Sequence, residues 1–522
     1  MGWDARSDDR RRARGRRDGG GNRPRRSDGE ERRRPPIGIG PRHGAGPIQI
    51  NLNLNLVLLI VYSGALVAIS LSIARFIKGS ADFFVAGRSL TARLLFSTVL
   101  ASNIGAGATI GATGRGYFDG ISAWWWNGAS AIGSVFLAFF IGPRIWRVAK
   151  AHGLFTTGDF LELRYGGLVR ALVTMLIWLG TLSIFAGQLI AGAAVLDVVA
   201  GLPRWEGTII SALVVTTTFM AGGLLGTAWV NVVQLTVLLA GFIVAVPTVL
   251  AKAGGLAGIA HAPGVPATFL NPLYSGGALS GWSLLVFAPA FVISPGLIQK
   301  AYGADSERTV RLGIGVQAAA LAVFAFAPAL LGMAARATHP GLTNPNIVLP
   351  TVLVEQLPPW FGALALAAVF SAEVSACDAI LFMLATSLSQ DLYKRFLQPD
   401  ADDREVLVIA RLASLAGGAG AVVLALLLET VQQALAIFYS LLGVSLLMPI
   451  VGGLYLRRSG AREALASLAA GNVALLLARF ALPSSYAWID PTVAGLIASA
   501  AAFLIVYAAR RGPFGSPMPR SR

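Results

Sequence analysis

The segment Phe370–Phe396, FSAEVSACDAILFMLATSLSQDLYKRF, has the length and hydrophobicity of a membrane-spanning helix but contains two carboxylates, Glu373 and Asp378. Ser371, Ser375 and Asp378 are spaced i, i+4 and i+7, which places them on one helical face. A carboxylate within hydrocarbon is unfavourable unless it faces a cavity, a partner or an ion path. The stripe predicts an ion pathway at Asp378, with a snorkelling or interhelically bonded acid as the alternative. Glu373 lies on another face of the helix. For this residue, a role in an ion pathway and a purely structural hydrogen bond fit equally well.

Long apolar stretches recur between residues 54 and 509 of the 522-residue chain, which is 55% hydrophobic and 13% charged. Its mean hydropathy is +0.66. This composition predicts an all-α, polytopic membrane protein. The single cysteine, Cys377, excludes a disulfide framework, and the four histidines lack metal-ligand spacing. The sequence has no phosphate-binding loop and no hydrolase motif, which argues against an ATP-driven pump or an enzyme.

The net charge of +16 does not predict nucleic-acid binding, because much of the basic character lies in the first 46 residues. Residues 1–46 hold fourteen arginines and seven acids interleaved with glycine and proline. This composition is typical of a disordered, solvated tail and differs from that of a signal peptide.

A window of about 20 residues predicts thirteen transmembrane spans. They lie near 54–76, 93–114, 121–143, 169–201, 206–222, 227–251, 280–303, 309–335, 361–390, 405–428, 433–455, 462–481 and 489–509. With a cytoplasmic carboxyl terminus, the inner segments hold 23 basic residues and the outer segments beyond the tail hold five. The positive-inside tendency favours this orientation. It also places the arginine-rich tail outside, which a reporter fused near residue 40 would test.

Two of these spans carry helix-breaking residues at matched positions. The second contains Ala101-Ser-Asn-Ile-Gly-Ala-Gly, and the seventh contains Pro289 and the pair Pro295-Gly296. Five spans separate their starts, which is the arrangement of two five-helix inverted repeats that each begin with a discontinuous helix. Unwound helices expose carbonyls that coordinate ions or solutes, whereas glycine-mediated helix packing is the alternative for either span alone.

Five motifs in order resemble those of the sodium:solute symporter family. They are FFVAGRSL (Phe83–Leu90), TGDFLELRYG (Thr157–Gly166), GGL with WVNVVQ (Gly222–Leu224 and Trp229–Gln234), PGLIQK (Pro295–Lys300) and SQDLYKR (Ser389–Arg395). The resemblance extends from about residue 50 to residue 480. It implies a LeuT-like fold with a 5+5 inverted-repeat core, one added helix before the core and two after it.

The implied organisation has six parts. They are a disordered basic tail (1–46), an added first helix with a cytoplasmic loop (50–92), a first five-helix repeat (93–251), a second inverted repeat (280–455), two further transmembrane helices (456–509) and a cytoplasmic tail (510–522).

The resemblance also implies a sodium site between the first broken helix and the ninth span. Its ligands would be the carbonyls of Ala101, Ile104 and Ala372 and the hydroxyl of Ser375. The family usually has a second hydroxyl where this chain has Ala376. Sodium prefers several oxygen ligands, so this departure leaves sodium affinity and the identity of the coupling ion open.

Asn231 and Asp378 show a second departure. The family has an acid at the position of Asn231 and often a hydroxyl at the position of Asp378, both near a second cation site or an ion exit path. We therefore hypothesise that the carboxylate has moved between the two helices and keeps one negative charge in the pathway. Proton binding at Asp378 is the competing explanation, because a buried carboxylate without a nearby cation favours its protonated form.

The resemblance places the solute beside the broken helices. The matching residues are Asn103, Gly105, Ala106, Ala108, Phe287 and Phe291. This lining is small and apolar, which favours an amino acid or a short organic acid over a hexose. The segment Trp124–Asn127 predicts an interfacial aromatic belt, with a contribution to the solute site as the alternative. For Asn103, an interhelical hydrogen bond is an equal alternative.

The sequence thus predicts a secondary active transporter that imports a small polar organic solute with sodium by alternating access. Alternatives are a proton-coupled symporter of the same fold, a membrane sensor with a separate signalling partner, and a uniporter or channel. The predicted partners are a small-molecule solute and membrane lipid, with no nucleic acid, no obligate protein partner and no organic cofactor. The predicted location is the bacterial cytoplasmic (inner) membrane, with the carboxyl terminus in the cytoplasm.

Overall fold

The computed structural model describes residues 85–273, 281–482 and 489–509, together with 56–58, 60–62, 64, 65 and 68. The side chains of 218, 220–230 and Asp378 are outside this description, although the backbone there is helical. The predicted tails, 1–46 and 510–522, lie outside the described residues, as does much of the predicted first span.

The described part of the chain is helical and contains no β-strand. Its α-helices are α1 (Ala92–Asn103), α2 (Ala112–Asp119), α3 (Trp124–Phe136), α4 (Gly142–His152), α5 (Thr157–Tyr165), α6 (Gly167–Ala200), α7 (Arg204–Lys252), α8 (Gly255–Ala260), α9 (Ala288–Val292), α10 (Pro295–Tyr302), α11 (Glu307–Phe324), α12 (Phe326–Thr338), α13 (Val348–Gln356), α14 (Pro359–Thr386), α15 (Asp403–Leu427), α16 (Val431–Tyr455), α17 (Ala461–Phe480) and α18 (Pro491–Ala509). Short π-helical segments at Gly107–Gly111, Leu137–Ile141 and Ser387–Leu397 extend α2, α3 and α14.

Among the described residues, nine helices are long and apolar enough to cross a membrane, and a bent helix pair makes a tenth. The predicted count of thirteen therefore stays a prediction. The predicted spans near 206–222 and 227–251 both fall within the continuous helix α7. Gly222 and Gly223 between them lower helix propensity but do not forbid helical backbone, so they are a weak boundary signal.

The first predicted interruption is present. α1 ends at Asn103, and Ile104 leaves helical geometry with φ −98° and ψ 74° before the π-helical turn at Gly107 begins. A Cβ atom on Gly105 would lie 2.5 Å from the Cβ of Ala376 and 2.9 Å from Gln188 Oε1. Gly105 therefore lets the broken backbone approach α14 more closely than any residue with a side chain would allow.

The second predicted interruption is also present. A 3₁₀ segment, Gly281–Phe287, leads into the short helix α9, and α10 follows after Ile293 and Ser294 at a bend of 44°. Pro295 occupies the first turn of α10, where its missing N–H is tolerated and its fixed φ favours helix initiation.

Helix α14 lies at the centre of the bundle. In its most apolar window 94% of residues are buried, compared with 22% for α18 at the periphery. It packs against α1, α6, α7, α10 and α15. The polar side chains of α14 that the structure describes consequently face protein rather than lipid.

Candidate functional site

A cavity of about 60 Å³ lies where both interrupted helices face α6, α14 and α16. Four of the six predicted solute-site residues line it: Asn103, Gly105, Ala108 and Phe291. The structure therefore brings the two breaks together around one small space.

The other two predicted solute-site residues lie behind the cavity wall. The backbone N–H of Ala106 donates to Gln188 Oε1 at 2.8 Å. The ring of Phe287 packs against Trp126 and Tyr439, with centroid distances of 5.8 and 5.7 Å. Both residues support the wall.

An aromatic cluster closes one side of the cavity. Tyr439 and Phe438 of α16 line it, and the centroid of the Tyr439 ring is 4.7 Å from that of Phe291. Trp126 is buried behind them, with its ring centroid 6.0 Å from that of Tyr439. For Trp126 the predicted interfacial role is wrong, because the helix turns this side chain into the bundle.

Few polar groups reach the cavity. Asn103 Nδ2 is buried and has no hydrogen-bond partner among the described residues. Gln188 and Ser294 supply further polar atoms to the lining. A solute with one or two hydrogen-bonding groups and an apolar remainder suits this wall.

Two of the predicted sodium ligands, Ala101 and Ile104, lie at the carboxyl end of α1. Within the described residues, no backbone amide is bonded to the carbonyl of Ala101 or of Ile104. These groups lie at the carboxyl end of a helix, where the backbone dipole favours a cation. Contact between Gly105 and Ala376 places this helix end against the turn of α14 that carries Ala372 and Ser375.

Asn231 fixes the orientation of the Ser375 hydroxyl. Ser375 Oγ donates to Asn231 Oδ1 at 2.7 Å, while Asn231 Nδ2 donates to Thr98 Oγ1 at 3.0 Å. All three side chains are almost completely buried. Because the hydroxyl hydrogen is directed at Asn231, the oxygen lone pairs of Ser375 remain available to coordinate a cation.

Lys300 brings a positive charge to α1 and was not anticipated from the sequence. Its ammonium group is buried and donates to the carbonyl of Thr98 at 2.9 Å and to Ser102 Oγ. This contact joins α10 to α1, so the two interrupted helices are linked through Lys300.

α14 carries two carboxylates, Glu373 and Asp378. Glu373 is 2% exposed, and neither of its carboxyl oxygens has a hydrogen-bond partner among the described residues. A Cβ on Gly192 would lie 3.4 Å from Glu373 Oε2 and 2.4 Å from Ser211 Oγ, so the carboxyl group faces α6 and α7. The side chain of Asp378 lies outside the described residues, and the transposed carboxylate remains a hypothesis.

A buried charge cluster joins α14 to α5 and α6, and sequence reasoning missed it. Arg170 pairs with Asp391, Asp159 and Glu162 at 2.6, 2.7 and 2.6 Å. Thr156 Oγ1 also donates to Asp391 Oδ1 at 2.6 Å. The cluster anchors the extension of α14, sixteen residues beyond Ser375.

We expect Gln188→Leu to destabilise the protein, because the backbone N–H of Ala106 would lose its buried acceptor. An unsatisfied buried donor costs about 1–3 kcal/mol. Gln317→Leu is the matched control, because Gln317 is fully buried and its amide has no hydrogen-bond partner in the described part of the chain. Melting temperatures of both variants in detergent check this expectation; equal losses would contradict it.

Known proteins resemble this chain in sequence and in fold. The model of the sodium:solute symporter family matches residues 83–471. The sodium/pantothenate symporter of Escherichia coli (strain K12) is 27% identical over 463 residues, covering 84% of this chain and 92% of that protein. The sodium/glucose cotransporter of Vibrio parahaemolyticus is 26% identical over 497 residues, covering 86% and 88%.

A solved structure, the substrate-bound outward-open state of a Na⁺-coupled sialic acid symporter, has the same fold. Its TM-score is 0.75 at 18% identity, with 90% of this chain and 99% of that chain covered. The predicted LeuT-like fold is confirmed. From the match over residues 83–471 and the shared fold, the chain belongs to the sodium:solute symporter family, whose members are transporters rather than enzymes and whose coupling ion is sodium.

Proposed function

We propose that this protein imports a small organic solute together with sodium, using the end of α1 and the adjacent turn of α14 as the sodium site. The observation that carries the proposal is the contact of the broken α1 with α14. It brings unbonded carbonyls of Ala101 and Ile104 to a helix whose Ser375 hydroxyl is oriented by Asn231.

Oxygen ligands suit this ion. Hard cations prefer carbonyl, hydroxyl and carboxylate oxygens, and unwound helices of transporters supply them. Ala101, Ile104 and Ala372 contribute carbonyls and Ser375 a hydroxyl. Ala376 contributes only a methyl group, which makes room for Gly105 at the expense of a ligand. Asn231, Asp378 and Glu373 mark the proposed ion pathway through α7 and α14.

The size of the cavity favours a small solute. A water molecule needs roughly 10–15 Å³ on this measure, so about 60 Å³ holds about five water-sized groups. This small volume favours a small amino acid or a short organic acid over a hexose, for which the wall would have to move. Asn103 Nδ2 would donate to a solute carboxylate or carbonyl, and the Phe291 and Tyr439 rings would cover its apolar part.

The proposed location and orientation rest on the charge distribution and on the relatives. The excess of arginine and lysine in the predicted inner segments supports a cytoplasmic carboxyl terminus. Bacterial relatives support placement in a cytoplasmic membrane.

Uptake into proteoliposomes tests the proposal. Vesicles containing the purified protein would receive a panel of labelled amino acids and short organic acids under an inward sodium gradient, an inward proton gradient or no gradient. We expect uptake of at least one compound with the sodium gradient alone. Uptake driven only by protons would support the alternative in which Asp378 binds the coupling proton, and equal uptake without a gradient would contradict symport.

We expect Asn231→Ala to weaken sodium binding, because the Ser375 hydroxyl would lose the acceptor that orients it. One hydrogen bond is worth about 0.5–1.5 kcal/mol, which corresponds to about a two- to tenfold higher sodium concentration for half-saturation. The measurement is the melting temperature as a function of sodium concentration. Asn472→Ala is the control, because Asn472 makes a similar hydrogen bond to Ser445 at 3.0 Å between α16 and α17. A shift of half-saturation in both variants would contradict a local role for Asn231.

A further inference from the structure

An apolar groove of about 420 Å³ lies on the surface of the bundle, between α3, α9 and α16. Its walls include Phe136, Phe140, Pro289, Val292, Val451 and Tyr455. The rings of Phe136 and Phe140 are about half exposed, at 48% and 54%. In a protein that spans the membrane, such a surface faces hydrocarbon chains rather than water.

A positive charge marks one end of the groove. The guanidinium carbon of Arg144 lies 3.9 Å from the centroid of the Tyr455 ring, and the Tyr455 hydroxyl donates to the carbonyl of Phe140 at 2.9 Å. Arg144 is exposed and makes no ion pair with any acid in the described ranges, whereas Arg147 on the same helix pairs with Glu307 at 3.3 Å. The groove therefore combines an apolar interior with a fixed, unneutralised cation at its end.

We propose that this groove binds one acyl chain of an anionic phospholipid whose phosphate lies against Arg144. Charge complementarity selects the occupant, because an arginine without an acidic partner favours a phosphate-bearing anionic head group. Arg144 also lies in a predicted cytoplasmic segment, and the cytoplasmic leaflet carries anionic lipid. A zwitterionic lipid would fill the apolar part equally well but would gain less at Arg144.

The groove and the solute cavity share helix α9. Pro289 and Val292 face the groove, while Ala290 and Phe291 face the cavity. Because these residues share one short helix, we expect a chain in the groove to restrain Phe291 as well. This consequence rests on the proposed function, whereas lipid binding itself does not.

Lipid titration of the delipidated full-length protein tests the site. Phosphatidylglycerol and phosphatidylcholine with identical chains would be added in detergent, and bound lipid would be counted by native mass spectrometry. We expect one tightly held phosphatidylglycerol, and about fivefold weaker binding in Arg144→Gln. Arg411→Gln is the charge control, because Arg411 is exposed on α15 and makes no ion pair among the described residues. Equal affinity for the two lipids, or equal losses in both variants, would overturn the proposal.

A second variant tests the groove apart from the charge. Val451→Trp would fill the apolar space and is expected to reduce binding of both lipids. Val323→Trp is its control, because Val323 is 74% exposed on α11. Unchanged lipid binding in a folded Val451→Trp protein would contradict the groove as the site.

Labelling of an engineered cysteine tests the link through α9. Cys377 is the only cysteine, so Ser294→Cys in a Cys377→Ala background places one thiol at the solute cavity. Phosphatidylglycerol is expected to change the maleimide labelling rate, and Arg144→Gln to reduce that change. A rate independent of lipid would overturn the coupling while leaving the transport proposal untouched.

Discussion

Gly105→Ala should abolish sodium-coupled transport and remove most of the sodium-dependent stabilisation. The new methyl group would lie 2.5 Å from the Cβ of Ala376 and 2.9 Å from Gln188 Oε1, distances at which α1 must move away from α14. Any such movement separates the carbonyls of Ala101 and Ile104 from Ser375, and the proposed sodium site depends on their proximity. The effect should exceed that of Asn231→Ala, because it displaces backbone ligands rather than reorienting one hydroxyl.

The matched control for this substitution is Gly420→Ala on α15. A Cβ there would meet the Leu182 side chain at 3.4 Å, which is ordinary van der Waals contact. Uptake in proteoliposomes and melting temperature with and without sodium should be close to those of the unmodified protein. Normal sodium-dependent uptake by Gly105→Ala would show that the approach of α1 to α14 is not needed for coupling.

Arg170→Met should destabilise the protein more than Gln188→Leu or Asn231→Ala. It leaves Asp391, whose side chain is 4% exposed, without the guanidinium that pairs with it at 2.6 Å. Breaking a buried ion pair by removing one partner costs about 3–5 kcal/mol, because the remaining charge stays buried. The cluster also anchors the extension of α14, so sodium binding and transport should decline together with the melting temperature.

Arg395→Met is the control for burial. Arg395 pairs with Glu162 at 2.5 Å but its side chain is 48% exposed, and exposed ion pairs contribute little to stability because water and salt screen them. Comparable destabilisation by Arg170→Met and Arg395→Met would contradict the importance of the buried pairs.

Acid should remove the contribution that Glu162 makes to this cluster. Burial acts to raise the pKa of Glu162, but hydrogen bonds from Arg395 and Arg170 outweigh it and hold the pKa below its usual value. A lowered folded-state pKa stabilises the fold above the unfolded value, and this stabilisation is lost as pH falls through the lowered value. A melting-temperature profile over acidic pH, with Glu162→Gln as reference, measures this contribution.

The two helix breaks could be predicted because their causes are local. Gly105, Gly107, Pro289 and Pro295 alter backbone preferences within a few residues, and the structure interrupts both helices at these positions. The fold followed from the matched positions of these breaks together with the family motifs.

Contacts between distant helices could not be predicted in the same way. Arg170 meets Asp391 across 221 residues, and Gln188 meets Ala106 across 82. Periodicity identifies the buried face of a helix but not its neighbour, so Tyr439 and Lys300 were missed as well. Among these, Gln188 had a detectable signal, because it is a lone amide in a long apolar span.

The orientation of individual side chains could not be predicted from the sequence either. Phe287 and Phe291 are one turn apart, yet only Phe291 lines the cavity, because the 3₁₀ segment that ends at Phe287 changes the helical register. Trp126 is buried in the aromatic cluster, while the neighbouring Trp125 is hydrogen-bonded at an exposed position.

The most direct test of the sodium site is the melting temperature of the purified protein and of Ser375→Ala in sodium, potassium and choline chloride. A ligand that binds only the folded state stabilises it by about 2.7 kcal/mol at a hundredfold excess over Kd. We expect a sodium-specific rise in the unmodified protein that Ser375→Ala reduces or removes. Equal melting temperatures in the three salts, or an identical sodium response in Ser375→Ala, would contradict a sodium site between α1 and α14.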